Sequence, residues 1–364
     1  MVDYSDEARG LIGIARNYRP FRESLGYFGW TGLENLGDEA LYEAVRCVLS
    51  PAIVYNHPRF YGRGKLIQDY LEDHFYTGML LGAGTLINSV GYLTEMQRLQ
   101  SKQKRMFVFG AGVLEPDFQK QVARAANCLE GWVSVLRECE YVSVRGPISK
   151  NILDDYGYQN AVVCGDPAVY FAKERIEPKR GDKVVGINVG TTANGRSLWG
   201  GSDEKVATFV TQLCRVLLDQ KYRIRLFSVW EGDRQCIEQI ARELSGRVEV
   251  EYIHTNHNEY MEKLREVDIF IGEKLHSVIL ALCTYTPSIM LSYAPKCEDF
   301  MTSVGFMDYS IRTNQLSIEV IQNMIDQIEA DVGGYQQKLF AAMMSLKGNL
   351  YASANALKSI LISK

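Results

Sequence analysis

Short apolar runs alternate with amphipathic, helix-length stretches along most of the chain. V-D-I-F-I over 267–271 reads as a buried strand ending at Gly272, S-V-I-L-A-L over 277–282 reads as helix, and Pro287 opens a second apolar run through Leu291. Upstream, S-L-G-Y-F-G-W from Ser24 leads through T-G-L-E-N-L-G-D into an amphipathic helix over 39–49, for which Asp38 is the expected N-cap. An apolar run at 52–55 precedes an irregular basic and aromatic segment, 57–65. The stretch 77–89 reads as a strand running into a glycine turn, and 106–110 followed by G-A-G-V-L-E-P repeats that form. A single long helical stretch from 117 to about 139 then leads to a strand at 141–144 ending in Arg145-Gly146-Pro147, with proline where a first helical turn tolerates it.

The segment 172–183 is charged, holds Pro178 and Gly181 and lacks periodicity, so it reads as a linker. Beyond it the pattern restarts with a strand at 184–190 and a Gly/Ser/Asn loop at 191–203, followed by strands at 223–229, 248–253, 268–271 and 288–291. The tail from 317 reads as helical apart from Gly333-Gly334, and residues 1–22 as a short polar helix or ordered arm. Regular alternation on both sides of the linker predicts an α/β protein of two doubly wound, Rossmann-like domains, residues 1–172 and 183–335, with a terminal helix over 336–364.

Composition narrows the class. At 364 residues the chain can build two cores, and 46% apolar with 23% charged residues suits a water-soluble globular protein. A net charge of −4 provides no general basic field for nucleic acid or anionic lipid, so any anion site is local. The eight cysteines lack a Cys-x-x-Cys pair and fall mostly in apolar stretches, which predicts reduced, buried thiols and a cytoplasmic protein rather than a disulfide framework or zinc site. The first 22 residues lack a signal-peptide core, and the longest mostly apolar stretch, 277–293, is too short to span a bilayer. At most a peripheral membrane association is expected.

Polar groups collect where the strands end. Glu273, Lys274 and His276 follow the first apolar run, and Tyr293 and Lys296 follow the second. In a parallel sheet these breaks lie side by side at the carboxyl edge, where ligands bind. A histidine and two lysines beside helix N-termini suit a small, doubly anionic ligand. Taken singly, His276 also reads as a boundary histidine and the lysines as solvated.

These residues carry a resemblance. His276, Ser277, Pro287, Tyr293 and Lys296 match the pattern Arg-x-His-(Ser/Ala), helix, Pro, strand, Tyr-x-x-Lys of the polysaccharide pyruvyl transferase family, with Lys274 where the family usually has arginine. That exchange replaces a bidentate fork by a point charge. Asn35, Gly37, Asp38 and Glu39 resemble the family's Gly-Asn-x-Gly-Asp-Glu segment. Gly82 and Gly84 resemble its first glycine turn, Arg145 with Ser149 its Val-Arg motif, and Asp166 its Asp-Pro-Ala segment.

The resemblance implies a glycosyltransferase-B-like pair of domains facing across a cleft, with the terminal helix crossing back to the first. It implies transfer of pyruvate from phosphoenolpyruvate, the co-substrate, to a lipid-linked or nucleotide-activated sugar, forming a ketal, with no cofactor. His276 is then the acid/base; Arg145, Lys296, Lys274, Ser277 and Tyr293 bind the donor; Asn35, Asp38 and Glu39 face the acceptor; Gly82, Gly84, Asp166 and Asn188 support the site. Asp38 also reads as a helix cap, and Asp166 as an Asp-Pro turn.

Other chemistries find less. His254 and His257 with Glu259 form a poor ligand set, so no metal is expected; there is no Asp-x-Asp and no Gly-x-Ser-x-Gly. The glycine turns do not complete G-x-G-x-x-G, because Ile87 and Glu115 take the third position. Two further classes stay open. A metal-independent glycosyltransferase would use Glu298 or Asp299 against a ribose; a non-catalytic glycan- or phosphosugar-binding protein would accommodate Lys274. Trp30, Trp199 and Trp230 are candidate sugar platforms or packing residues.

Overall fold

The computed structural model describes residues 23–57, 65–122, 127–179, 181–192, 199 and 202–363. The expected N-terminal arm, and most of the segments 57–65 and 191–203, lie outside them.

Two sheets, parallel throughout, carry the fold. The first contains β1 (Ser24–Phe28), β2 (Ile53–Asn56), β3 (Gly78–Leu81), β4 (Gly84–Ile87), β5 (Met106–Val113), β6 (Tyr141–Val144) and β7 (Val162–Val163). Their order is β2-β1-β3-β5-β6-β7, with β4 on β5. The second contains β8 (Val184–Asn188), β9 (Arg223–Ser228), β10 (Glu249–Tyr252), β11 (Ile269–Gly272), β12 (Ser288–Ser292) and β13 (Ser310–Arg312), in the order β10-β9-β8-β11-β12-β13. Helices cover both faces of such sheets, which is why β1, β3, β5, β8, β11 and β12 are buried along their whole length and read as continuous apolar runs. In each sheet the strand order reverses next to the first strand: between β1 and β3, and between β8 and β11. A crevice opens at such a switch point, outside the carboxyl ends of the strands.

The chain after β1 and the chain after β9 meet across the domains. Leu36 N–H donates to Val229 O (3.0 Å), and Asn35 and Trp230 form an antiparallel bridge. On another face Asp299 accepts the Ile148 N–H (2.8 Å) and the Ser149 hydroxyl (2.6 Å). The helix Val332–Ile362 spans both halves. Tyr335 near its start exchanges hydrogen bonds with Ser288 on β12 (3.1 Å each way), while Ser353 meets the Tyr141 hydroxyl (2.6 Å) and Lys358 reaches Val48 O (3.2 Å) in the first half.

Several expectations need correction. The helix Leu36–Val48 starts earlier than its apolar pattern suggested, and its N-cap is Asn35, whose Oδ1 accepts the Gly37 N–H (3.0 Å), not Asp38. The second glycine turn is strand: β5 runs through Gly110 and Gly112, glycine being needed because a Cβ would press on Pro167 at one and on Arg145 at the other. The long helical stretch is two helices, Pro116–Val122 and Leu129–Leu136. The break in the tail falls at Asp331, between the helices Ile318–Ala330 and Val332–Ile362, and not at Gly333 and Gly334. They sit in the first turn of its long helix, where Asp331 caps the Gly334 N–H (2.8 Å) and a side chain on Gly334 would strike that carboxylate. Strand β13 escaped the sequence pattern because it is three residues long.

Candidate active site

His276 is the second residue of the helix Leu275–Cys283 that follows β11. Asn188, at the end of β8, fixes that turn: its Oδ1 accepts the Lys274 N–H and the Ser277 hydroxyl (3.0 Å each), while its Nδ2 donates to Phe227 O (2.9 Å). The imidazole is sandwiched. On one side Gly37 packs so closely that a Cβ there would lie 2.4 Å from Nδ1; on the other, Nε2 lies 3.5 Å from Asp166 Oδ2.

Asp166 is buried and caps the turn Pro167–Phe171 by accepting the Ala168 N–H (3.0 Å). The same Oδ2 lies 3.7 Å from Arg145 Nη1. Burial alone would raise this carboxyl, but His276 and then Arg145 outweigh it and hold it below the usual range. Arg145, 1% exposed, donates from Nη2 to Thr85 Oγ1 and fits only because position 112 is glycine, where a Cβ would overlap the guanidinium.

These groups open on one cavity of about 120 Å3 between the domains. Asn35, Gly37, Asp38, Gly84, Thr85 and Arg145 line it from the first half, and Trp230, Lys274, His276, Ser277, Tyr293 and Lys296 from the second. Lys296 Nζ lies over the Tyr293 ring at 4.6 Å, and burial, helped by Arg145 and Lys274, pulls this lysine down to about 8. Across the cavity, burial pushes the Asp38 carboxyl up to about 6 against the pull of His276 and Lys296.

Not every expected residue has a polar group free for a ligand in this space. Lys274 Nζ donates to Thr191 O, lies 3.3 Å from buried Asp233 and stands 5.0 Å over the Trp230 ring, so its charge is already matched within the second half. The Ser277 hydroxyl is spent on Asn188 and on Lys274 O (2.6 Å), and the Asn35 amide oxygen on its cap. Glu39 turns back to accept the Gly32 N–H (2.5 Å), and Gly82 packs on the Tyr27 ring; among the described residues neither lines the cavity. Asp166 and Asn188 stand behind it as supports. Thr85 and Asp233 were missed. Thr85 carries only the weak signal of following Gly84, whereas Asp233 lies in no motif and is brought in by the fold.

The remaining candidates are engaged elsewhere. Glu298 pairs with Arg312 (2.5 and 3.0 Å) and Asp299 joins the domains, so both carboxylates considered for a ribose are occupied. His254 bonds to Ser228 (3.0 Å) and faces Glu231 (3.2 Å), while His257 packs on Phe171. Glu34, Glu231 and His254 could together approach a metal ion, yet Glu231 is already paired with Arg234 (2.9 Å). Trp199 lies between Phe118 and Arg312 as packing, and Trp30 is 43% exposed.

The Polysaccharide pyruvyl transferase family model matches residues 35–295, a span that holds His276, Arg145, Asp166 and Asp38 together. The chain belongs to the polysaccharide pyruvyl transferase family. It is therefore a transferase of that family. No curated protein matches it.

Solved structures give the fold. UDP-GlcNAc 2-epimerase from Neisseria meningitidis, bound to UDP-GlcNAc, superposes with a TM-score of 0.57 at 12% identity over 93% of this chain and 99% of that one. A glycosyltransferase from Rickettsia africae gives 0.60 at 10% identity over 94% and 98%, and MnaA from S. aureus in complex with UDP gives 0.58 at 11% over 94% and 98%. The fold of this pyruvyl transferase family member is thus glycosyltransferase-B-like, two Rossmann-like domains with the cavity in the cleft. Among the described residues no helix is long and apolar enough to cross a membrane.

Proposed function

We propose that this family member transfers pyruvate from phosphoenolpyruvate to two hydroxyls of one sugar, forming a ketal. The observation that carries the reading is the meeting of Arg145, His276 and Lys296, from two domains, on one cavity beside Asp166. Phosphoenolpyruvate presents a carboxylate and a phosphate, so its site needs cations from more than one direction. Arg145 and Lys296 supply them, while Lys274, matched by Asp233, contributes little net charge. His276 protonates the methylene carbon through Nδ1, while Asp166 at Nε2 orients the ring.

The acceptor enters from the Asn35–Asp38 side as a lipid-linked or nucleotide-activated sugar, in the cytoplasm and with at most peripheral contact with a membrane. No cofactor beyond the co-substrate is required by this chemistry. The test is incubation with 13C-labelled phosphoenolpyruvate and a panel of lipid-linked and nucleotide-activated sugars. Appearance of the label in a sugar ketal with equimolar phosphate is the expected result. Transfer that depends on a nucleotide sugar as donor, or binding of phosphoenolpyruvate without turnover, would contradict the proposal.

A further inference from the structure

Forming a ketal moves more protons than one imidazole can carry at a time. Two sugar hydroxyls each lose a proton, the methylene carbon gains one, and the departing phosphate gains one. His276 can donate the proton to carbon and later recover one from a hydroxyl. The other hydroxyl proton needs a second carrier, present when the first carbon–oxygen bond forms.

The carboxylates around the cleft differ in how far they are committed. Asp166 accepts the Ala168 N–H and faces Arg145 and His276; Asp233 accepts the Thr191 N–H (2.9 Å) and holds Lys274. Glu273 accepts the Gly190 N–H (2.9 Å), Asp299 is bound by Ile148 and Ser149, and Glu39 by Gly32. Asp38 stands apart from these. It lines the cavity, the N-cap of its helix is Asn35, and among the described residues none donates a hydrogen bond to its carboxylate. The titratable and charged groups that face it are His276, Lys296, Tyr293 and Lys274 from the second half, Glu39 on its own helix and Tyr27 on β1. Asp38 and His276 line this one cavity, and Gly37, the residue before Asp38, packs against the imidazole.

We infer that Asp38 is the second proton carrier: its carboxylate takes the proton of the attacking sugar hydroxyl and passes it to the phosphate as that group leaves. The inference rests on the pyruvyl-transfer reading above and completes its balance. Protonated His276 gives its proton to the methylene carbon, and the central carbon becomes electrophilic. The first hydroxyl oxygen bonds to that carbon while Asp38 takes its proton. The carbon–oxygen bond to phosphate breaks, its electron pair leaves with the phosphate, and Asp38 returns its proton there. The second hydroxyl closes the ring and reprotonates His276, so both groups end as they began. Burial that lifts Asp38 to about 6 leaves it ionised at neutral pH yet basic enough for the task.

The test uses the full chain, 13C-labelled phosphoenolpyruvate and whichever sugar of the panel wild type converts. Asp38→Asn should bind phosphoenolpyruvate at least as tightly as wild type in calorimetry, because a negative charge has left an anion site. Its kcat should fall about 100-fold or more. The loss of wild-type activity as pH drops through about 6 should vanish from the residual activity, and formate should restore turnover to Asp38→Ala. Binding like wild type shows that the variant is folded. If wild type transfers pyruvate and Asp38→Asn keeps its rate and its acidic limb, this inference fails alone. If wild type transfers no pyruvate to any sugar, the reading beneath it fails as well.

Discussion

His276 Nε2 lies 3.5 Å from Asp166 Oδ2, and the two residues come from different domains. Asp166 belongs to the turn after β7 and His276 to the helix after β11, so their approach exists only when the cleft is assembled. Because Arg145 reaches the same carboxylate, one buried acid holds an imidazole on one side and a guanidinium on the other. Asp166→Asn keeps the shape and removes the charge. It should lower kcat by at least about 10-fold through a poorly held imidazole, and steady-state kinetics checks it. The carboxyl is held below its ordinary range, so its stabilising contribution is present above about pH 4 and lost as pH falls further. Urea unfolding at pH 7 and at low pH should show a smaller acid-induced loss in Asp166→Asn.

Lys296 sets a basic limit. Its folded value of about 8 lies below the ordinary lysine range of about 10.4, because burial disfavours the ammonium. As pH rises through 8 the free enzyme loses this cation, and kcat/KM for phosphoenolpyruvate should fall. Lys296→Arg stays charged to well above pH 10 by roughly two units, so its profile should stay flat there. The linkage also has a stability sign: the buried ammonium costs stability below pH 8, and that cost shrinks as pH climbs past it.

Gly37 is a packing prediction. A methyl group there would sit 2.4 Å from His276 Nδ1, so Gly37→Ala must move the ring or the helix. A displacement of this size can cost about 100-fold in rate. Stability should fall too, by about 1–3 kcal/mol, because the methyl group would also lie 2.7 Å from His276 Cβ, an overlap that turning the ring does not relieve. Kinetics and thermal unfolding of the one variant separate the two effects.

Lys274 and Lys296 should respond differently. Lys274 answers Asp233, which is fully buried, so Lys274→Met leaves an uncompensated charge and costs stability by about 3 kcal/mol. Adding Asp233→Asn should recover most of it. The KM for phosphoenolpyruvate should rise less than in Lys296→Met. Urea titrations and kinetics of the three variants decide it.

The strand-and-helix alternation was legible because buried parallel strands are continuous apolar runs, and the residues at their ends, His276, Arg145 and Lys296, announced themselves as polar groups at strand-to-helix breaks. What stayed hidden depends on distance in space. That Lys274 is occupied follows from Asp233, which sits 41 residues away by number and in no recognisable pattern. That Gly112 belongs to a strand follows from its pairing with Thr85 on β4, and that it must be glycine from the guanidinium lying on it. Asn35 took the cap from Asp38 because both residue types suit that position, and the choice falls to the contact that chain makes with Val229.

The most direct test is a crystal structure with phosphoenolpyruvate soaked in. The account predicts the ligand in the cleft, its carboxylate and phosphate oxygens within about 3 Å of Arg145 and Lys296 nitrogens and its methylene carbon facing His276 Nδ1. A donor seated on either domain alone, out of reach of Arg145 or of His276, would contradict it.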